Sequence, residues 1–184
     1  MRISRRTIVA SAAIVPITAI KSAAAAPPVF NQAQRRTLEA FMDRLVPKDE
    51  NGPGASECGA ANYIDASLAG DLAAEKPAFL DGLDGIDALA RKMHDAGFAD
   101  LAAEKQDAVA AAVESGSRAF FERFRRLTLE GMMSDPHYGG NAEFRGWELI
   151  RYPGPRLAVS AREQAIKEEI KPVRASAYGN GHGH

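Results

Sequence analysis

Apolar residues recur along most of this chain at intervals of three and four, the spacing that puts them on one face of an α-helix. Leu38, Phe41, Met42, Leu45 and Val46 form the first such stripe. Asn31 stands before it as a helix cap, Gln34 three residues on completes a capping box, and Pro47 closes the run. The stretch PKDENGPGASE then reads as a loop broken by Gly and Pro. A second helix is predicted from Cys58 to Leu68, with Ile64 and Leu68 inward and Gly70 as its stop. A third covers Pro77 to Ala96 on a stripe of Phe79, Leu80, Leu83, Ile86, Leu89, Ala90 and Met93, weakened by Gly82 and Gly85. Asp100 is placed as the cap of a fourth, alanine-rich helix that ends near Gly116. Ser117 caps a fifth, RAFFERFRRLTLEGMM, with Phe120, Phe121, Phe124, Leu127 and Met132 at core positions. The three phenylalanines read as core rather than as a ligand box. No segment alternates apolar and polar residues long enough for a strand, so the pattern predicts an all-α protein, a small irregular helical bundle.

Three regions depart from this periodicity. The stretch EGMMSDPHYGGNAEFRGWELIRYPGP, Glu130 to Pro155, holds the only tryptophan, Trp147, with Tyr138, Tyr152 and the pair Gly139-Gly140. It reads as a long loop or broken helix that is too aromatic to be left in water, and long loops in small domains are commonly functional. The N-terminus, MRISRRTIVASAAIVPITAIKSAAAAPP, has three arginines, a short apolar run and then small residues. That run is too short for a membrane helix, and the tripartite pattern is that of an export signal. Arg5 and Arg6 after Ser4 make it a twin-arginine signal. A general secretory signal that happens to carry two arginines is the alternative; the weak hydrophobicity and Lys21 favour the twin-arginine route. Cleavage after Ala25 leaves Ala23 and Ala25 in the A-x-A positions. At the other end, AREQAIKEEIK reads as a charged helix and AYGNGHGH as disordered. The expected organisation is therefore a signal over residues 1–25, a helical domain over 26–157 and a charged helix with a flexible tail over 158–184.

Charge and composition narrow the function. The full chain carries a formal charge of −1, and removing Arg2, Arg5, Arg6 and Lys21 with the signal takes it to −5. That balance argues against nucleic acid. The lone cysteine, Cys58, cannot form an internal disulfide or hold an iron–sulfur cluster, and Cys-x-x-Cys-His for covalent haem is absent. Neither a dinucleotide-binding glycine motif nor a zinc-type Cys/His array is present. The weaker candidates are individual side chains. His137 beside Asp135 is a possible general base, against a loop histidine bonded locally. His94 reads as a solvated helix residue, and His182 and His184 as an inert tail. Cys58, near a helix start, is a candidate for a lowered thiol pKa, against a small buried residue. No catalytic, cofactor-binding or metal-ligating residue is assigned.

An export route used for folded, cofactor-loaded cargo thus meets a chain without a recognisable cofactor site. One resolution is that the cofactor belongs to a partner that travels with it. The aromatic loop then supplies an interface from Tyr138, Phe144, Arg145, Trp147, Arg151 and Tyr152, residue types enriched at interface centres. Trp147 is read as the loop's internal anchor in preference to a partner contact, opening a short helical turn that Pro153-Gly154 ends.

Two stretches, Thr37 to Asp65 and Phe120 to Gly154, resemble the gluconate 2-dehydrogenase subunit 3 family. The first carries L-x-P-x-D and then P-G-A. The second carries T-L-E-G, then S-D-P-x-Y-G-G-N, then G-W-x-L-I-x-Y-P-G. The resemblance implies a helical, non-catalytic small subunit, exported to the periplasm through the twin-arginine translocon. It implies a large flavoprotein partner of the glucose–methanol–choline type that binds FAD and usually lacks its own signal. A cytochrome c subunit carrying haem c often passes electrons onward to the membrane. The reaction implied is oxidation of a sugar, sugar acid or alcohol. Two other classes stay open from the residues alone: a free-standing exported helical ligand-binding protein, and an acid–base enzyme using His137 and Asp135.

Overall fold

In the computed structural model, which describes residues 27–156, 158–165 and 170–179, the capping box at Asn31 forms as predicted. The Asn31 side chain accepts from the Gln34 amide at 2.9 Å, and the Gln34 side chain accepts from the Asn31 amide at 3.2 Å. Helix α1 then runs Gln32–Leu45 and buries Thr37, Leu38, Phe41 and Met42. The loop after Pro47 is fastened back to it, because Asp43 accepts from both the amide and the hydroxyl of Ser56. Helix α2, Ala60–Ala69, ends at Gly70 and lies along α5, Arg118–Met133. Helices α3, Lys76–His94, and α4, Ala103–Gly116, close the bundle against α1. Among the described residues the fold is all-α, with no strand.

The centre of the bundle is a cluster of rings. Phe41 packs on Phe98, Phe124 and Phe121, with centroids 5.3, 4.9 and 6.2 Å away. Phe79 stacks on Phe124 at 5.6 Å. The predicted core residues Phe121, Phe124, Leu127 and Met132 are buried, and Phe120 is half-buried against them. Phe120 explains Gly82, which reads from sequence as a flaw in α3. A Cβ there would lie 2.1 Å from the Phe120 ring, so the glycine makes room for an aromatic edge.

Three local expectations are corrected. Met93 is exposed, because the inward stripe of α3 stops at Ala90 and Met93 falls in the last turn beside solvent. Asp100 does not cap α4. It lies in a 3-10 turn, Phe98–Asp100, and its carboxylate pairs with Arg36 at 2.5 Å across to α1, while Ala102 stands at the cap position. Ser117 precedes α5 but its side chain makes no capping bond.

Candidate functional site

The stretch from Ser134 to Gly154 folds over the carboxyl end of α5, and two buried side chains, Asn141 and Trp147, fix it there. After α5, Asp135 accepts from the His137 amide at 2.9 Å and closes a 3-10 turn, Pro136–Tyr138. Gly139, at φ 89°, reverses the chain. Gly140 serves a different need from the sharp reversal that the pair suggests: a Cβ there would sit 2.1 Å from the Gly131 carbonyl oxygen. This close approach lets Asn141, fully buried, reach the helix end. Its amide donates to Gly131 O at 2.8 Å, and its Nδ2 donates to Ser134 O at 3.0 Å. Its Oδ1 accepts from the amides of Gly146 at 2.9 Å and Trp147 at 3.3 Å. One asparagine therefore satisfies main-chain groups at the last turn of α5 and the first turn of α6, Arg145–Leu149.

Trp147 is 4% exposed and packs inside the loop, as an internal anchor does. Its indole Nε1 donates to Met133 O at 2.9 Å, as a buried indole requires. Its ring meets Phe144 and Tyr152, with centroids 5.3 and 5.0 Å away. Helix α6 begins at Arg145 and stops at Leu149, well before Pro153. A Schellman motif ends it: Tyr152 N donates to Trp147 O at 2.8 Å and Arg151 N to Glu148 O at 3.0 Å. The Trp147–Tyr152 ring contact is the apolar pair that accompanies this motif.

The loop also joins the two sequence stretches that carry the family resemblance. Ala142 N donates to Cys58 O at 2.8 Å, and Arg145 Nη1 donates to Glu57 O at 3.2 Å. A strap from the C-terminal side covers one flank. Val173 N donates to Pro153 O at 2.7 Å, and Ala177 N donates to Asp135 Oδ2 at 2.8 Å. Tyr178 stacks on His137 at 4.6 Å and shares a 2.8 Å hydrogen bond with the Tyr138 hydroxyl. The stretch that reads as disordered is thus held as far as Gly179, because tyrosine and backbone amides give it partners.

The candidate residues separate into three groups. Tyr138, Arg151 and Tyr152 are exposed. Phe144 and Arg145 are half-buried, and Arg145 is engaged with Glu57 O and with Glu143 at 2.7 Å. Trp147 is inside. The export arginines Arg5 and Arg6, and the tail histidines His182 and His184, lie outside the described residues. His137 and Asp135 are adjacent but do not form an acid–base pair. The carboxylate is engaged by backbone amides, and the imidazole stacks on Tyr178. Burial works to raise the Asp135 pKa, but hydrogen bonds from the Ser176 side chain and the amides of His137 and Ala177, with the nearby His137, outweigh it and leave it below the ordinary value. Cys58 is fully buried, and burial pushes its thiol pKa up, opposite to the lowering that a helix start suggests. His94 is half-buried rather than solvated, with Nε2 shielded and unbonded.

Asn141 and Ile150 are the residues that sequence reasoning missed. Asn141 is legible only as a turn-former in GGN. Ile150 follows Trp147 and Leu149 and reads as one more apolar residue, yet it is 54% exposed.

Beside the loop lies an open cleft of about 560 Å³, lined in part by Tyr63, Asp71, Arg123, Arg126, Glu130 and Tyr138. Both of its arginines are engaged: Arg123 holds Glu75 through two bonds of 2.7 and 2.8 Å, and Arg126 holds Glu130 at 2.7 Å. Among the described residues no three His, Cys, Asp or Glu side chains group as a metal site, and no helix is long and apolar enough to cross a membrane.

No curated protein and no solved structure matches the chain. The family described as gluconate 2-dehydrogenase subunit 3 matches residues 32–154, from the first residue of α1 to the glycine that closes the aromatic loop. That span takes in the bundle, both motif stretches and the loop, well over half of the 184 residues. This chain belongs to the gluconate 2-dehydrogenase subunit 3 family.

Proposed function

We propose that this chain is the non-catalytic small subunit of a membrane-associated, FAD-dependent dehydrogenase complex acting on a sugar, sugar acid or alcohol. It supports the folding and assembly of a flavoprotein subunit of the glucose–methanol–choline type and carries it through the twin-arginine translocon to the periplasm. FAD sits in that partner, and a cytochrome c subunit with haem c completes the electron path. The observation that carries the reading is the family match across the whole loop, together with how the loop is built. Asn141 and Trp147 turn inward to hold it, while Tyr138, Ile150, Arg151 and Tyr152 face out. That is the construction of a rigid docking platform. The ligand-binding alternative has the cleft in its favour, but the cleft's arginines are already engaged by Glu75 and Glu130. The acid–base alternative loses its dyad to the backbone bonds of Asp135.

The test is export of the pair. With Arg5 and Arg6 both changed to lysine, this chain and its flavoprotein are expected to remain together in the cytoplasm. Arrival of the flavoprotein in the periplasm would refute joint transport. The purified chain alone is expected to show neither flavin nor haem absorbance, and a stoichiometric chromophore retained by it would refute the accessory role.

A further inference from the structure

We propose that Ile150, Arg151 and Tyr152 form the knuckle by which this chain docks on its partner subunit. Ile150 and the outer edge of Tyr152 enter an apolar socket, and Arg151 meets a carboxylate at its rim. The inference rests on the accessory-subunit reading and adds the place and the chemistry of docking.

Backbone strain marks the segment. Among the described residues five non-glycine residues have positive φ, and four of them, Asn141, Glu143, Phe144 and Arg151, fall in this loop. Such strain persists only where surrounding structure enforces it, and it gathers at functional segments. For Asn141 the return is visible in its hydrogen bonds. For Arg151, at φ 54°, it is not. Arg151 occupies the position of a Schellman motif that glycine ordinarily fills, because a Cβ is disfavoured there. Its guanidinium finds no partner among the described residues, whereas Arg145 and Arg174 are engaged by Glu143 and Glu148. The fold thus holds a strained arginine with no internal task that the geometry reveals.

Its neighbours have the complementary property. Ile150 is 54% exposed and Tyr152 38% exposed, large apolar surfaces next to the free cation. Beneath them Trp147 is buried and bonded to α5, so the three side chains are presented on a fixed base. A preorganised contact loses little entropy on docking. Arg and Tyr are also the residue types that dominate interface energetics. The family is that of a small subunit of a dehydrogenase, which favours a partner subunit as the occupant.

The decisive variant is Arg151→Gly, because structure and docking predict opposite responses to it. Glycine relieves the positive φ, so the isolated chain should melt within about 3 °C of wild type or above it. Affinity for the purified, co-expressed flavoprotein subunit should fall by roughly 30-fold, as for a hot spot. Arg151→Glu and Ile150→Glu should weaken binding at least as much, with the isolated chain still folded. If the wild-type chain assembles with the flavoprotein and all three variants bind as tightly, the knuckle is not the contact, and the accessory reading stands. A wild-type chain that never associates refutes the accessory reading, and the knuckle with it. Arg151→Gly lowering the melting temperature by more than that margin would assign the arginine a structural role and overturn the proposal. So would wild-type dimers that Arg151→Glu dissociates, or binding to phosphatidylglycerol vesicles that Arg151→Glu abolishes.

Discussion

Phe41 in the bundle and Asn141 in the loop are both fully buried, and they hold the molecule by different physics. Phe41 meets three other rings, and any one of those contacts can adjust by a fraction of an ångström at small cost. Asn141 has no such latitude. Each of its side-chain bonds is directional, and two of them pair buried main-chain amides, those of Gly146 and Trp147. Burial in the bundle is additive over many residues, so its strength is spread. In the loop it is concentrated in one asparagine, one tryptophan and the glycines that let them approach. A region built the first way resists change as a whole, and a region built the second way comes loose at a single point.

The largest expected effect lies in the bundle. Phe41→Ala removes a fully enclosed ring and is expected to cost about 3–5 kcal/mol. The loss should appear in the whole unfolding transition, followed by far-ultraviolet circular dichroism. A transition unmoved by more than 1 or so kcal/mol would mean that the ring cluster is not the bundle's centre of stability.

Next comes the loop. Asn141→Gly keeps the positive φ permissible and deletes the side-chain bonds, at an expected cost of about 2 kcal/mol. Asn141→Ala adds the left-handed penalty of roughly 1–2 kcal/mol on top. Both should redden Trp147 fluorescence and open the loop to protease while α1 to α5 keep their helicity. If Asn141→Gly instead unfolds everything in one step with the bundle, loop and bundle are one cooperative unit.

The same contrast explains what could be read from the sequence. Leu38, Phe41, Ile64, Leu83, Ile86 and Phe124 were legible because helical periodicity encodes burial one residue at a time. The Asn31–Gln34 cap was legible because its partners are three residues apart. Met93 and Asp100 were misplaced by local rules that tertiary neighbours overrode, the end of the α3 stripe in one case and Arg36 in the other. Of the loop, composition identified Trp147 as an anchor but not what it anchors to. Asn141 bridges Ser134 and Gly146 through space, and no spacing rule lists that pairing. The exposure of Ile150 followed from the early stop of α6, set by a Schellman motif that an arginine in place of glycine disguised.

The smallest effect belongs to the strap, which borrows from both regions. Asp135 receives the Ala177 amide and the His137 amide on its two oxygens, so one carboxylate joins strap and loop. Its own burial raises the pKa, but the hydrogen bonds from Ser176, His137 and Ala177 and the neighbouring His137 win, and the folded value lies below the ordinary one. A carboxyl whose pKa is lower when folded favours the folded state while ionised. The strap should therefore be fully held above the unfolded value of about 3.9 and should loosen as the pH falls through the folded value. Hydrogen exchange at the Ala177 amide measures this directly: protection at neutral pH, lost below about pH 4, with the bundle amides still protected. Asp135→Asn keeps an acceptor oxygen but removes the titration, so its strap should be weaker at neutral pH and nearly indifferent to acid. Protection of Ala177 that disappears already near pH 6 would place control with a group other than Asp135, and protection that never appears would mean that the strap is not held at all.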